Sequence, residues 1–315
     1  MSETEKVAKF GGVCVSHVEM YDRMAAILRA DTGRRFVVVS AVAGVTDSLV
    51  QMMAKLPEEK EIDHFLSDLK TRHLALLPRP QRDREQTLEA IEVLATKLER
   101  LLYGISYTEE MTPRIRDVVL SFGERLSAQV VASNLRGRGF DAEAFDADQI
   151  GLMTDGHYGN ATALLAETKA RMGPLLRVQA DAARVSVVTG FFGLSPEGKT
   201  ATFGRGGSDY TAAVVAHAVG LRTIEIWKDV DGFMSADPKI VAEAFPLSEL
   251  SYDEAAELSY FGAKVLHPRA VQPARACGAS LFLKNIYKSE ALGTRIGPDP
   301  MDRSGDVKSV SYVRD

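Results

Sequence analysis

Three short segments carry side chains able to handle a phosphoryl group or a small carboxylate. In Gly204-Arg205-Gly206-Gly207-Ser208-Asp209, three glycines permit close backbone approach to an anion. A helix opening at Ser208 would add free N–H groups and the positive end of its dipole. Arg205 supplies a planar guanidinium fork that matches a carboxylate or a phosphate. The plainer reading is a glycine loop with Ser208 or Asp209 as the helix cap, and the local residues divide evenly between the two. Lys9-Phe10-Gly11-Gly12 sets an ammonium at a strand end beside two glycines. There it can neutralise a transferring phosphoryl group, although most strand-end lysines are merely solvated. The stretch from Ser40 to Thr46 is a strand-to-loop exit, the edge of an α/β sheet where ligands commonly bind.

Other segments read more plainly. Gly193 to Thr200 fits G-x-x-x-x-G-K-[ST], but a phosphate loop of that kind must open directly into a helix. Ala201-Thr202-Phe203-Gly204 cannot start one, so Ser195-Pro196-Glu197-Gly198 is expected as a hairpin turn. Glu124 and Arg125 lie off the apolar stripe of their helix, which assigns them to a solvated face. Residues 262–269, Gly-Ala-Lys-Val-Leu-His-Pro-Arg, fit a simple helix–turn–helix joint. The six histidines show neither HxxxH nor HxH spacing, so no protein-built metal site is expected and His267 reads as structural.

An α/β scaffold has to position these residues. The 315 residues hold 38 Lys+Arg against 43 Asp+Glu, with 45% hydrophobic and 26% charged residues, an ordinary globular balance. A formal charge of −5 argues against a basic nucleic-acid-binding surface. No apolar run nears the roughly 18–20 residues of a membrane span. The N-terminus lacks a hydrophobic signal region, so the cytoplasm is the expected compartment. Two cysteines, Cys14 and Cys277, cannot build a disulfide framework. Residues 6–12 read as a strand running into a glycine turn, with a helix from Ser16, where Ser16 and Glu19 have capping-box spacing. The Val-rich stretch 35–42 suits a strand buried on both faces.

Residues 46 to about 103 read as helices broken by Pro57 and the Pro78/Pro80 pair. A long helix runs from Thr112-Pro113 to Gly137, its stripe including Ile115, Val119, Phe122 and Leu126. Beyond it, 184–192, 222–230 and 279–287 read as strands, and 209–219 and 253–260 as helices. Strands interleaved with helices imply a layered α/β fold with a largely parallel sheet. Residues 297–305 read as a linker and 307–313 as a lone strand, an ending that suggests a region cut away.

KFGG at 9–12, GRGGSDYTA at 204–212 and FGAKVLHP at 261–268 together resemble, in order and spacing, the aspartate kinases of the amino-acid kinase family. The resemblance runs from Lys9 to about Arg295. It implies a three-layer α/β/α catalytic domain over 1–296, with an amino-acid-binding lobe to about residue 200 and a nucleotide-binding lobe over about 201–296. Residues 297–315 would then be a linker and the start of a missing ACT-type regulatory region. The implied reaction moves the terminal phosphoryl group of ATP to the side-chain carboxylate of L-aspartate, opening lysine, threonine and methionine synthesis. Mg²⁺ would be held chiefly by ATP oxygens and water. A homodimer is expected, with no nucleic-acid or membrane partner.

By matching positions, Lys9 and the amides of Gly11 and Gly12 would face the transferring phosphate. Thr46, Glu124, Phe191, Arg205, Ser208 and Asp209 would surround the amino acid, Arg205 pairing one of its carboxylates. Lys228, Asp229 and Lys264 would hold the nucleotide, and Lys9 and Asp209 are the expected catalytic residues. The nucleophile is the substrate's own carboxylate, so catalysis would rest on positioning and charge neutralisation. The chain departs from the family pattern at four places. Val13-Cys14 replace the hydroxyl pair of KFGGTS, Lys228 replaces the threonine of W-T-D, Met234 a tyrosine and Lys239 an arginine. Two alternatives therefore stay open: a non-catalytic amino-acid-binding or regulatory homologue, and a same-fold kinase for another small carboxylate. Lys228 either contacts the ATP phosphates or swings into solvent.

Overall fold

The structure, a computed structural model, describes residues 5–33, 35–54, 58–78, 84–260, 265–298 and 309. Lys264 and, apart from Ser309, the expected strand 307–313 lie outside these residues. The chain opens with β1 (Val7–Phe10), a 3-10 turn (Gly12–Val15) and α1 (Val18–Ala30). It continues through β2 (Phe36–Val39), α2 (Val45–Ala54), α3 (Glu59–Ala75), α4 (Arg84–Thr108) and α5 (Pro113–Arg136). Then come β3 (Ala142–Phe145), α6 (Leu165–Asp181), β4 (Val185–Thr189), the hairpin strands β5 (Phe192–Leu194) and β6 (Thr200–Thr202), and α7 (Gly207–Val219). Next are β7 (Thr223–Lys228), β8 (Glu249–Ser251), α8 (Tyr252–Tyr260), α9 (Val271–Cys277), β9 (Ser280–Asn285) and β10 (Thr294–Gly297).

Eight strands form one sheet in the order β3-β4-β2-β1-β7-β9-β10-β8. All neighbours are parallel except β9 and β10, so the expected largely parallel three-layer fold is present. Side chains alternate across each strand. Val7, Phe36, Val38, Ile224 and Ile226 pack with α6, α7 and α9 in one core. Ala8, Phe10, Val37, Val39 and Trp227 pack with α1 to α5 in the other. With both faces covered, β2 needs no polar side, which explains its run of valines. The same alternation turns Lys9 and Lys228, on the neighbouring strands β1 and β7, towards the α7 layer.

Local signals set several boundaries. Thr112 Oγ1 accepts from Ile115 N at 3.2 Å and Pro113 takes the first helical position of α5, as its cap residues dictate. Ser195 N donates to Lys199 O at 2.7 Å and Gly198 has φ +72°, so Gly193–Thr200 is a hairpin and not a phosphate loop. The capping box expected at Ser16 does not form. The 3-10 turn delays α1 to Val18, His17 takes the cap position, and Ser16 Oγ donates to Gly12 O at 2.5 Å while accepting from Ala43 N at 3.1 Å.

The solvated face expected for Glu124 and Arg125 is also absent. Both are buried, at 3% and 8% exposure, because α5 packs on the sheet, on α2 to α4 and on β6, leaving little of it in water. The Arg125 guanidinium is neutralised there by Asp146 and by Asp148 Oδ2 at 2.5 Å, and lies 4.5 Å from the Phe192 ring centroid. Strands β3, β8 and β10 carry no sequence signal. They are three or four residues long, carry a charged residue each (Glu143, Glu249 and Arg295), and are held by their neighbours' ladders. No described helix is long and apolar enough to cross a membrane.

Candidate active site

A cavity of about 290 Å³ lies where β1, β2, β4 and β7 end against the start of α7, the edge at which parallel sheets bind ligands. Lys9, Thr46, Glu124 and Phe191 line it, and so do Arg205, Ser208, Asp209 and Lys228. Among the described residues this gathers most of the expected site. Gly11, Gly12 and Asp229 do not line it; Asp229 is exposed beyond the end of β7.

The charges centre on Asp209, in the first turn of α7. Its Oδ1 lies 2.7 Å from Lys9 Nζ and its Oδ2 2.8 Å from Lys228 Nζ. Burial alone would push the Asp209 carboxyl up, but the two ammonium groups hold it at about 2. Burial, reinforced by Lys228, pulls the Lys9 ammonium below the usual lysine range, against the opposing attraction of Asp209. Lys228 also donates to Val265 O at 2.6 Å and its side chain is only 21% exposed, so the solvent-swinging reading is incorrect. One buried carboxylate thus orients two cations, leaving net positive charge at the helix N-terminus.

Backbone packing shapes the rest. Gly206 caps α7 with φ +69°, and a Cβ there would overlap His267; only glycine meets both demands. Phe191 holds φ +77°, unusual for an aromatic residue, and its N–H donates to Thr211 Oγ1 at 3.0 Å. The expectation that the Gly11 amide faces a phosphate is not met. That N–H donates to Trp227 O at 3.0 Å, which also accepts from Cys14 Sγ at 3.3 Å. The thiol therefore still provides a hydrogen-bond donor where the family pattern has a hydroxyl, and burial pushes its pKa up to about 11. Gly12 serves packing: a Cβ on it would stand 2.9 Å from Ala41 O.

Glu124 and Arg205 are poised for a ligand. Glu124 Oε2 is buried without a hydrogen-bond partner among the described residues. Burial raises this carboxyl to about 8, opposed in part by the Ala41 backbone, by Lys9 and by Ser208. Arg205 is exposed at the rim. The described residues contain no group of three or more His, Cys, Asp or Glu able to hold a metal ion. Sequence reasoning missed Thr211, Val265 and Arg269: the Thr211 and Arg269 side chains hydrogen-bond the backbone of loops distant in sequence, and the Val265 carbonyl accepts from the Lys228 ammonium.

A doubly covered, largely parallel sheet with a lysine on β1 and a glycine loop opening α7 is an arrangement that whole-chain comparison identifies. The amino acid kinase family model matches residues 5–285, and the chain belongs to that family. Within it, the similarity runs to aspartokinases. The chain is 38% identical over 297 residues to aspartokinase 1, chloroplastic, of Arabidopsis thaliana, covering 92% of this chain and 51% of the relative. It is 34% identical over 299 residues to the lysine-sensitive aspartokinase 3 of Escherichia coli, covering 92% and 63%. The crystal structure of E. coli aspartokinase III in complex with aspartate and ADP superposes with a TM-score of 0.85 at 32% identity, over 95% of this chain and 65% of that one. The chain spans about half the length of the Arabidopsis relative.

Proposed function

We propose that this chain catalyses ATP-dependent phosphorylation of the side-chain carboxylate of L-aspartate, giving 4-phospho-L-aspartate and ADP. The observation that carries the reading is the joining, in one cavity, of a Lys9–Asp209–Lys228 cluster with the buried Glu124 carboxyl, whose Oε2 has no partner among the described residues, and the rim cation Arg205. Similarity to the aspartokinases supports the choice of acceptor. Residues to about 200 would form the amino-acid lobe and about 201–296 the nucleotide lobe. The proposed partners are aspartate, ATP and a second copy of the chain, and the proposed compartment is the cytoplasm.

Arg205 would take a carboxylate of the acceptor and Glu124 its ammonium, with Thr46, Phe191 and Ser208 closing the pocket. The side-chain carboxylate would attack the terminal phosphorus in line as the bond to ADP breaks. Lys9 would neutralise the charge on the transferring group. Asp209 would not serve as a base, since both its oxygens are committed to ammonium groups; its work is to orient Lys9 and Lys228. Asp229 and Lys264 would complete the nucleotide side. Mg²⁺, when bound, would screen the phosphates, held by ATP oxygens and water, in keeping with a site whose central carboxylate is already paired. Incubation with ATP, Mg²⁺ and a panel of acidic amino acids, with hydroxylamine to trap an acyl phosphate, tests the reading. Hydroxamate should form with aspartate; none with any acceptor would refute it.

Glu124 implies a proton linkage. With its carboxyl near 8 in the free site, it is largely protonated at pH 7 and has to ionise to pair with an incoming ammonium. The bound state therefore holds the lower pKa, so aspartate affinity should rise with pH towards about 8 and level off above it. Calorimetry at pH 7 in buffers of different ionisation enthalpy should register release of close to one proton, and Glu124→Gln should abolish it. Binding without proton release would remove Glu124 from this role.

A further inference from the structure

Arg269 lies outside the cavity, in a 3-10 turn (Pro268–Ala270), yet its guanidinium spans two loops beside it. Nη1 donates to Phe203 O at 2.9 Å and to Asn160 Oδ1 at 2.6 Å. Nη2 donates to Ala161 O at 2.6 Å and to Thr162 Oγ1 at 3.2 Å. The guanidinium carbon stands 5.1 Å from the centroid of the Tyr210 ring, on the α7 turn that also carries Asp209. Phe203 immediately precedes Gly204-Arg205-Gly206. That loop rests on the 159–162 segment, since a Cβ on Gly204 would lie 2.8 Å from Gly159 O. On its other side Gly206 abuts His267, two residues before Arg269. Arg205 has no hydrogen-bond or ion-pair partner among the described residues, so its aim depends on where the backbone of this loop is held.

We propose that Arg269 is a positioning residue for the amino-acid acceptor, strapping the 203–207 loop to the 159–162 shelf so that Arg205 meets the acceptor's carboxylate. The proposal rests on the role assigned to Arg205 above. All four acceptors are neutral oxygens, so the guanidinium acts through its fixed fork rather than through an ion pair. A lysine ammonium cannot reach Phe203 O and Ala161 O with one planar group.

Kinetics with each substrate varied separately distinguish positioning from general structural support. Arg269→Ala should raise the aspartate KM about tenfold while the ATP KM stays within about twofold, as expected when a carboxylate-binding group is misplaced. Arg269→Lys should restore little of the loss. Added to Arg205→Ala, Arg269→Ala should raise the aspartate KM no further, because the strap acts through Arg205. Equal rises in both KM values, or additive losses in the double variant, would overturn the proposal.

A readout independent of turnover is amide exchange at Ala161 and Phe203, whose N–H groups donate to Thr202 O and Phe191 O. Both should exchange at least about fivefold faster in Arg269→Ala while α4 amides keep their rates. Unchanged exchange would overturn the strap. Faster exchange in a chain that does not phosphorylate aspartate would uphold the strap and overturn the activity. If the alanine variant does not fold, Arg269→Lys carries the same measurements.

Discussion

Replacing Lys9 by alanine is expected to lower kcat at least about a hundredfold with little change in aspartate KM, the effect of removing a group that meets charge developing in the transition state. The fold should survive. Asp209 would keep Lys228 at 2.8 Å, so the buried carboxylate is not left without a counter-charge, the circumstance that makes breaking a buried pair destructive. Lys228→Thr removes the outer of the two cations, whose side chain is 21% exposed against 5% for Lys9. Its expected signature is a roughly tenfold rise in ATP KM with a weaker salt dependence, because a partly exposed charge acts by attraction more than by close contact. Circular dichroism and steady-state kinetics check the pair. A natively folded Lys9→Ala chain that turns over within a few-fold of the parent would reduce Lys9 to a structural partner of Asp209.

Arg205→Ala is expected to raise the aspartate KM about 10–150-fold, the equivalent of roughly 1.5–3 kcal/mol for a forked, charge-assisted pair. ATP KM should move far less. Nothing in the fold should suffer, since the side chain is exposed and has no described partner to lose. This separates Arg205 from Arg125, which is buried between Asp146 and Asp148 and whose loss would strand two carboxylates. An aspartate KM unchanged in Arg205→Ala would take the residue out of the acceptor pocket and with it the purpose of the strap.

Much of this was legible along the chain. The valines of β2, the Thr112-Pro113 start and Gly137 end of α5, and the Ser195–Gly198 turn are local matters of side-chain period, capping and allowed backbone angles. So is the helix that opens behind three glycines at 204–207. A residue's neighbours within a few positions are enough to decide each of these, which is why the α/β class and the edge of the sheet bearing the site could be read without coordinates.

Burial and pairing across the chain could not be read that way. Glu124 and Arg125 look solvated on a helical projection, but α5 is enclosed by sheet, hairpin and helices. That enclosure raises Glu124 to about 8. Gly11 looked like an anion-facing amide until β7 placed the Trp227 carbonyl 3.0 Å away. Lys228 looked like a free cation at a strand end. The register of β1 beside β7 brings it and Lys9 to one face, where α7 delivers a single carboxylate to both. By itself, then, the sequence determined most of the elements, though not the short strands β3, β8 and β10, together with the family pattern and the kinds of side chain available for chemistry, because these follow from short-range sterics and periodicity. Only the tertiary structure decided which carboxylate has both oxygens paired, which keeps one oxygen without a described partner and which arginine bonds two loops at once, because desolvation and charge pairing depend on neighbours that the chain brings together from distant positions.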